Sequence, residues 1–405
     1  MEEKKNIPEI RFKGFEGEWE EKKIGEISNT YSGGTPSVGV NEFYNGCIPF
    51  IRSAEINYNS TELSITELGL KSSSAKMVNV GDILYALYGA TSGEVGRSKL
   101  KGAINQAILA IIPFKEFDSE FIMQWLRKKK NVIISTYLQG GQGNLSGSTV
   151  KNLIIDSPIV EEQSQIGSFF QNLDKQITLE QQKYDKLVTL KKAMLEKMFP
   201  KEGEDVPEIR FKGFEEKWEE KRLGEIAYIS TGYPFESKSF EEGGEYLVIT
   251  NGNIQNESPF VDNAIGSRIN IMNNPIYNDY VLIKGDILVT MDGTVGRIAK
   301  VNDEKQILAQ RVGRIQALED SEFLYQLLCT GNFIKNMTLL STGGTIRHIT
   351  LRNIMNYRDL IPSTIKEQTK IGSFFQNLDK LISLQQKKID KLKNIKKACL
   401  EKMFV

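Results

Sequence analysis

The chain carries one histidine, His348, in the run GTIRHIT over residues 344–350. A single imidazole excludes a multi-histidine metal centre and leaves one candidate for a Ser-His-Asp relay. The flanking residues read better as a polar loop contact than as a catalytic centre. Three cysteines, Cys47, Cys329 and Cys399, are too few and too scattered for a zinc site or a disulfide framework. No Walker A loop is present, and no glycine fingerprint opens a dinucleotide-binding helix. No cofactor or metal is expected.

Two weak patterns invite chemistry. Pro8-Glu9 followed by Glu20-Glu21-Lys22, and Pro207-Glu208 followed by Glu219-Glu220-Lys221, have the outline of a degenerate Pro-Asp…Glu-x-Lys nuclease site, in which carboxylates hold Mg²⁺. Such carboxylates belong on converging strands, whereas these lie in a short charged leader. A leader strapped to helices through Phe12, Phe15 and Trp19 is the better reading. Asn274-Pro275-Ile276-Tyr277 resembles the base-holding loop of amino-methyltransferases, but the second proline is missing and a turn is expected instead. No catalytic residue is assigned. What remains is binding chemistry. Residues 127–130 (RKKK) and 366–402, with ten lysines against four acids, are locally basic in a chain of zero formal net charge.

The elements that would position such residues come twice. Residues 8–27 (PEIRFKGFEGEWEEKKIGEI) return as 207–226 (PEIRFKGFEEKWEEKRLGEI) with four differences, and residues 163–199 return as 368–404. A variable stretch separates each pair. The repeat is far too long for a solenoid and reads as one module duplicated head to tail. In the first helical segment Phe170, Leu173, Ile177, Tyr184, Leu187, Met194 and Met198 recur at three- and four-residue steps; Phe375, Leu378, Ile382, Ile389, Leu392, Cys399 and Met403 take the same places in the second. This is a heptad seam. Two of its layers are polar in both copies, Glu180 with Gln385 and Lys191 with Lys396. Each helix would run about 35 residues, roughly 50 Å, and the cheapest partner for its stripe is the other copy.

The variable stretches hold short β-prone runs (48–51, 82–88, 107–112, 246–250, 279–290, 306–315) broken by glycine-rich turns, with helical stretches near 120–130 and 321–337. They predict α+β domains. The tetrapeptide GDIL recurs at 81–84 and 285–288, and GEVGR at 93–97 is matched to GTVGR at 293–297, which pairs Arg97 with Arg297. No run approaches the ~20 apolar residues of a membrane helix, and the N-terminal residues show no signal peptide, so a cytoplasmic protein is expected.

The order leader, variable domain, long helix, given twice, resembles the specificity subunit of Type I restriction–modification enzymes. The resemblance covers almost the whole chain and rests on PEIRFKGF…W, GDIL…GxxGR and IGSFFQNLD…QQK…LEKMF. It implies two α+β target-recognition domains separated by an antiparallel pair of long coiled-coil helices, with a pseudo-two-fold internal repeat. Residues 1–160 would form the first recognition domain with its leader (1–20), 161–200 the central helix, 201–363 the second recognition domain with its leader (207–226), and 364–405 the distal helix. It also implies a non-catalytic subunit that reads a bipartite double-stranded DNA site, one half per domain, while the helix pair acts as a ruler. Two methyltransferase subunits, joined by restriction subunits, would supply methyl donor, ATP and nuclease chemistry.

Candidate DNA contacts are Thr35, Arg52, Tyr88, Arg97, Lys99, Gln142, Asn144 and Lys151 in the first domain. Tyr233, Asn251, Arg297, Lys300, Arg347, His348 and Arg352 are the candidates in the second. Glycine-rich loops let backbone approach a duplex, and these side chains offer base-edge and phosphate contacts. Arg97 and Arg297, paired by motif, read as phosphate or fold contacts. The rival readings are a coiled-coil adaptor with two non-DNA ligand domains and a stand-alone Mg²⁺-dependent nuclease.

Overall fold

A computed structural model describes residues 6–137, 144–201, 203–255, 258–271, 274–344 and 346–405. The chain divides into two compact units, Met1–Glu180 with Lys388–Val405, and Gln181–Lys387. Each unit is α+β and contains part of both long helices, Val160–Lys197 and Ile365–Lys402. Among the described residues no helix is long and apolar enough to cross a membrane.

In the first unit an antiparallel sheet runs in the order Ser28–Ser32, Ile108–Pro113, Ile83–Ala86, Val95–Arg97. A second sheet orders Leu63–Ile65, Tyr44–Ile51, Gly102–Ile104, Lys76–Val78, with Tyr44–Ile51 and Gly102–Ile104 parallel. The second unit repeats the first sheet as Ala227–Thr231, Val312–Ala317, Ile287–Thr290, Ile298–Lys300. A further sheet of that unit has three strands, Arg268–Ile269, Tyr246–Ile249 and Gln306–Leu308. Central strands such as Ile83–Ala86 and Ile287–Thr290 are buried on both faces, which is why they read as unbroken apolar runs.

Two β-prone runs are shorter than the sequence suggests. Over 279–290 only Ile287–Thr290 is a strand. Pro275–Tyr280 is a 3₁₀ helix, and the Asn274 side chain accepts the Ile276 N–H at 3.2 Å, so the Asn-Pro-Ile-Tyr segment is a turn. The run 306–315 breaks at Arg311, whose φ of +70° leaves the strand region. One helix of the first unit, Ser119–Tyr137, corresponds to two in the second, Ser321–Leu328 and Asn332–Leu340, because Gly331 takes φ +94° between them.

Within each unit the long-helix segments are antiparallel, since partner numbers fall on one as they rise on the other. In the first unit Phe170 meets Phe404 (5.8 Å between centroids), Asp174 meets Lys396 (2.5 Å) and Glu180 meets Lys388 (2.9 Å). In the second, Lys191 meets Asp379 (2.6 Å) and Phe199 meets Phe375 (6.0 Å). Of the seam residues, Phe170, Leu173, Met198, Phe375, Leu378, Ile389 and Met403 are buried. Ile177, Tyr184, Leu187, Met194, Ile382, Leu392 and Cys399 are half-buried. Burial raises the thiol pKa of Cys399 and pushes that of Cys329 up to about 11, so neither is primed as a nucleophile.

The leaders fasten onto these helices the same way twice. Arg11 forks onto Glu162 (Nε and Nη2 both 2.7 Å) and Arg210 onto Glu367 (2.7 and 2.9 Å), both carboxylates being buried. Ile10 N–H donates to Lys402 O and Ile209 N–H to Lys197 O. Trp19 packs on Phe121 and Phe404, and Trp218 on Phe199 and Phe323. Burying each such ring contributes about 2–3 kcal/mol.

Candidate nucleic-acid interface

The backbone of each unit gathers several loops at one end of its sheets. In the first, Leu87 N–H donates to Ala107 O (2.8 Å), Leu145 N–H to Leu87 O (2.9 Å), and Tyr88 bridges to Asn144. Gly34 N–H reaches Ile104 O, and Asn105 N–H reaches Ile51 O, both at 3.2 Å. In the second unit, Met291 N–H donates to Arg311 O (3.2 Å), Ile349 N–H to Met291 O (2.9 Å), and Asp292 bridges to His348. Tyr233 N–H reaches Leu308 O (2.9 Å), and Ala309 N–H reaches Ile249 O (3.0 Å). Glycine is required at the closest approach: a Cβ on Gly33 would lie 1.8 Å from Ile104 O, and one on Gly232 2.2 Å from Ala309 O.

This frame brings together Thr35, Tyr88 and Asn144 in the first unit. The exposed Thr35 hydroxyl lies 2.5 Å from Gln106 Oε1. Arg52 enters the same end from strand Tyr44–Ile51, where it binds Glu55 (3.1 Å) and Glu62. In the second unit the frame gathers Tyr233, Arg347 and His348. Tyr233 sits among Phe235, Tyr277 and Tyr280 at 5.1–5.3 Å, Arg347 O accepts the Gly293 N–H, and His348 Nδ1 is 2.5 Å from Asp292 Oδ1. Asn251 follows strand Tyr246–Ile249 with its Oδ1 buried and unpartnered.

The other candidates lie elsewhere. Arg97 and Lys99 belong to the opposite end of strand Ile83–Ala86, because Arg97 pairs with Ile83. Arg97 binds Glu120 (2.9 Å) and Ser119 (2.8 Å), while Lys99 is exposed. Lys300 is 7 % exposed, with its ammonium 2.8 Å from both Glu322 oxygens. Lys151 ends helix Gly147–Lys151, and Arg352 lies on helix Leu351–Met355; both are exposed. Arg297 is the exception: it bonds Thr290 at the loop end of strand Ile287–Thr290, half-buried and with its Nε unpartnered. Gln142 falls outside the described residues.

The strand register overturns the pairing of Arg97 with Arg297. Ile83 opposes Arg97, whereas Ile287, in the same place in the second unit, opposes Lys300. Gly93 and Gly296 both take φ +80° against the following helix, near Ile134 in one case and Met337 in the other. Gly93 therefore matches Gly296, Glu94 matches Arg297, and Arg97 matches Lys300. The repeated GxxGR string misaligns the hairpins by three residues, because it matches turn glycines that do different work.

Arg97 and Lys300 begin equivalent polar chains. In the first unit Arg97 holds Glu120, Gln124 Nε2 donates to Glu120 (2.7 Å) and to Asp174 (3.2 Å), and Lys396 closes on Asp174. In the second, Lys300 holds Glu322, Gln326 Nε2 donates to Glu322 (2.8 Å) and to Asp379 (2.9 Å), and Lys191 closes on Asp379. Residues that sequence reading did not single out are Gln106, Asp292, Gln310 and Arg311. The strings NQA (105–107) and AQR (309–311) after matching strands were the available signal.

Four carboxylates of the nuclease-like pattern make ion pairs. Glu9 binds Lys402 (2.5 Å), Glu208 binds Lys197 (2.7 Å), Glu20 binds Lys22 (2.8 Å) and Glu219 binds Lys221 (2.8 Å). Among the described residues no group of three or more His, Cys, Asp or Glu side chains could hold a metal ion.

Comparison with known proteins agrees with this duplicated architecture. The chain is 25% identical over 399 residues to the Type I restriction enzyme MjaVIII specificity subunit of Methanocaldococcus jannaschii, covering 94% of this chain and 90% of that protein. It is 26% identical over 412 residues to the MjaIX specificity subunit of the same organism, covering 95% and 92%. In fold it is similar to the S subunit of a Type I restriction–modification system from M. genitalium, with a TM-score of 0.69, 16% identity, and 98% and 99% of the two chains covered. The model of the Type I restriction modification DNA specificity domain matches twice, over residues 16–189 and 215–394. Two such matches span most of the sequence, and the chain belongs to the Type I restriction–modification specificity-subunit family.

Proposed function

We propose that this chain is the sequence-reading component of a Type I restriction–modification complex, binding a bipartite, asymmetric site on double-stranded DNA with one half read by each unit. Two methyltransferase subunits dock on the long helices, and restriction subunits join that core. The chain itself is a non-catalytic specificity subunit.

One observation carries the reading. The same backbone frame is built twice, but its matching positions carry different side chains: Tyr88, Ala107 and Asn144 in one unit, and Asp292, Arg311 and His348 in the other. The long helices, by contrast, are alike, with 26 of 37 positions identical between 163–199 and 368–404. Equal helices suit two copies of one partner, and unequal loop ends suit two different half-sites. The nuclease alternative finds no carboxylate cluster: among the described residues no group of three or more His, Cys, Asp or Glu side chains could hold a metal ion. An adaptor with two non-DNA ligands would not need equal helices beside unequal heads.

The test is domain exchange in the assembled methyltransferase. Replacing residues 20–160 with the equivalent from another family member should change one half of the methylated sequence and leave the other intact. A change in both halves, or in neither, refutes the reading.

A further inference from the structure

Arg311 has a backbone that is unusual for its type. Its φ of +70° is in the left-handed region, which a residue with a Cβ rarely adopts. Strain of this kind persists where the surroundings over-determine it, and it collects at ligand-contacting positions. The surroundings here are specific. Arg311 O accepts the Met291 N–H, and the Arg311 guanidinium lies 3.1 Å from Asp292 Oδ2. The other oxygen of Asp292 holds His348 Nδ1 at 2.5 Å. Asp292 is 14% exposed, whereas Arg311 is 68% and His348 49% exposed. One shielded carboxylate thus braces two exposed side chains at the loop end of the second unit.

We infer that Arg311, oriented by Asp292, reads a guanine in the half-site recognised by the second unit, with His348 beside it on the same base pair or its neighbour. This rests on the DNA-specificity reading and names the residues that execute it. A guanidinium fork matches the O6 and N7 acceptors of guanine in the major groove, and lysine cannot reproduce that fork. A carboxylate behind the guanidinium fixes its plane before DNA arrives, so less side-chain freedom is lost on binding. In the neutral ring, a proton on His348 Nδ1 donated to Asp292 leaves Nε2 as an acceptor suited to an exocyclic amine. In the first unit the matching positions hold Tyr88, Ala107 and Asn144, with neither guanidinium nor carboxylate. The two half-sites therefore differ by chemistry at shared positions, and this guanine belongs to the second alone.

The experiment assembles the full chain with its methyltransferase subunits and maps the methylated motif for the wild type, Arg311→Ala, Arg311→Lys, Asp292→Asn and the Asp292→Asn/Arg311→Ala pair. Exchange of residues 220–363 identifies the half read by the second unit. Arg311→Ala is expected to lower the preference for guanine at one position of that half by about 10- to 100-fold. Arg311→Lys should lower it in the same place, and the other half should not change. Asp292→Asn should weaken the same position and add nothing once Arg311 is gone, whereas a merely structural Asp292 would add its own loss. A motif unchanged by Arg311→Ala overturns the inference. So does a uniform loss across all sequences with an unchanged thermal transition, which marks a phosphate contact. A wild-type complex with no bipartite motif would instead sink the specificity reading.

Discussion

Lys191 Nζ lies 2.6 Å from Asp379 Oδ1, and this ion pair accounts for the lysine in the helix seam. Its counterpart in the first unit is Lys396 on Asp174. Each pair ends a hydrogen-bonded chain that starts on a sheet hairpin and passes through a glutamate and a glutamine. The polar layer is therefore a junction between the long helices and the α+β head, not a flaw in the stripe. Buried polar groups of this kind fix register at a cost in stability.

Breaking the junction should be costly, and unequally so. Asp379 is 7% exposed and Asp174 34%. Removing Lys191 leaves a more deeply buried carboxylate than removing Lys396. Lys191→Ala should destabilise by about 3 kcal/mol and Lys396→Ala by less, measured by calorimetric unfolding. The pair Lys191→Met with Asp379→Leu should recover only part of the loss, because the charges leave together but the buried Gln326 Nε2 loses an acceptor.

The Arg11–Glu162 fork makes a second case. Glu162 is fully buried and both its oxygens rest on Arg11. Arg11→Ala should destabilise the first unit by about 3–5 kcal/mol and expose the leader to protease near residues 9–17. Arg11→Lys should rescue only part of this, since a point charge cannot replace two parallel N–H donors. Equal protease resistance of Arg11→Ala and wild type would refute this role.

Gly93 and Gly296 share a backbone conformation but not a neighbour. A Cβ on Gly93 would meet the flexible Ile134 Cδ1 at 3.0 Å, whereas one on Gly296 would meet Met337 Cβ at 3.0 Å and Ile334 Cα at 3.3 Å. Both alanine variants bear the left-handed penalty of about 1–2 kcal/mol. Gly296→Ala should exceed Gly93→Ala in thermal destabilisation, because a Cβ and a Cα cannot turn aside as a side-chain tip can.

Asp359 supplies a pH dependence. Burial raises its carboxyl pKa, against the Tyr357 O–H (2.5 Å) and Leu360 N–H (2.9 Å) that favour the charged form. A carboxyl raised in the folded state binds its proton more tightly than in the unfolded chain. Its penalty is absent below the usual carboxylate value near pH 4 and grows as pH rises through the folded value. Asp359→Asn should therefore lift the melting temperature increasingly as pH rises from about 4 to 7. A difference that shrinks over that range contradicts the assignment.

The duplication, the α+β class and the apolar stripe of the two helices were legible in the sequence, and so was the absence of recognisable catalytic motifs. All of these rest on local order: a helix shows its buried face every three or four residues, and a repeat shows itself by identity. Only the tertiary structure decided which residues of the two heads correspond. The pairing of Arg97 with Lys300 depends on strand register, which the repeated GxxGR string misreports. The Asp292–Arg311–His348 cluster likewise joins three segments 19 to 56 residues apart, through backbone bonds that no spacing rule encodes. Periodicity reports which face is buried, whereas loop contacts arise when distant strands close, and there the fold alone chooses the neighbours.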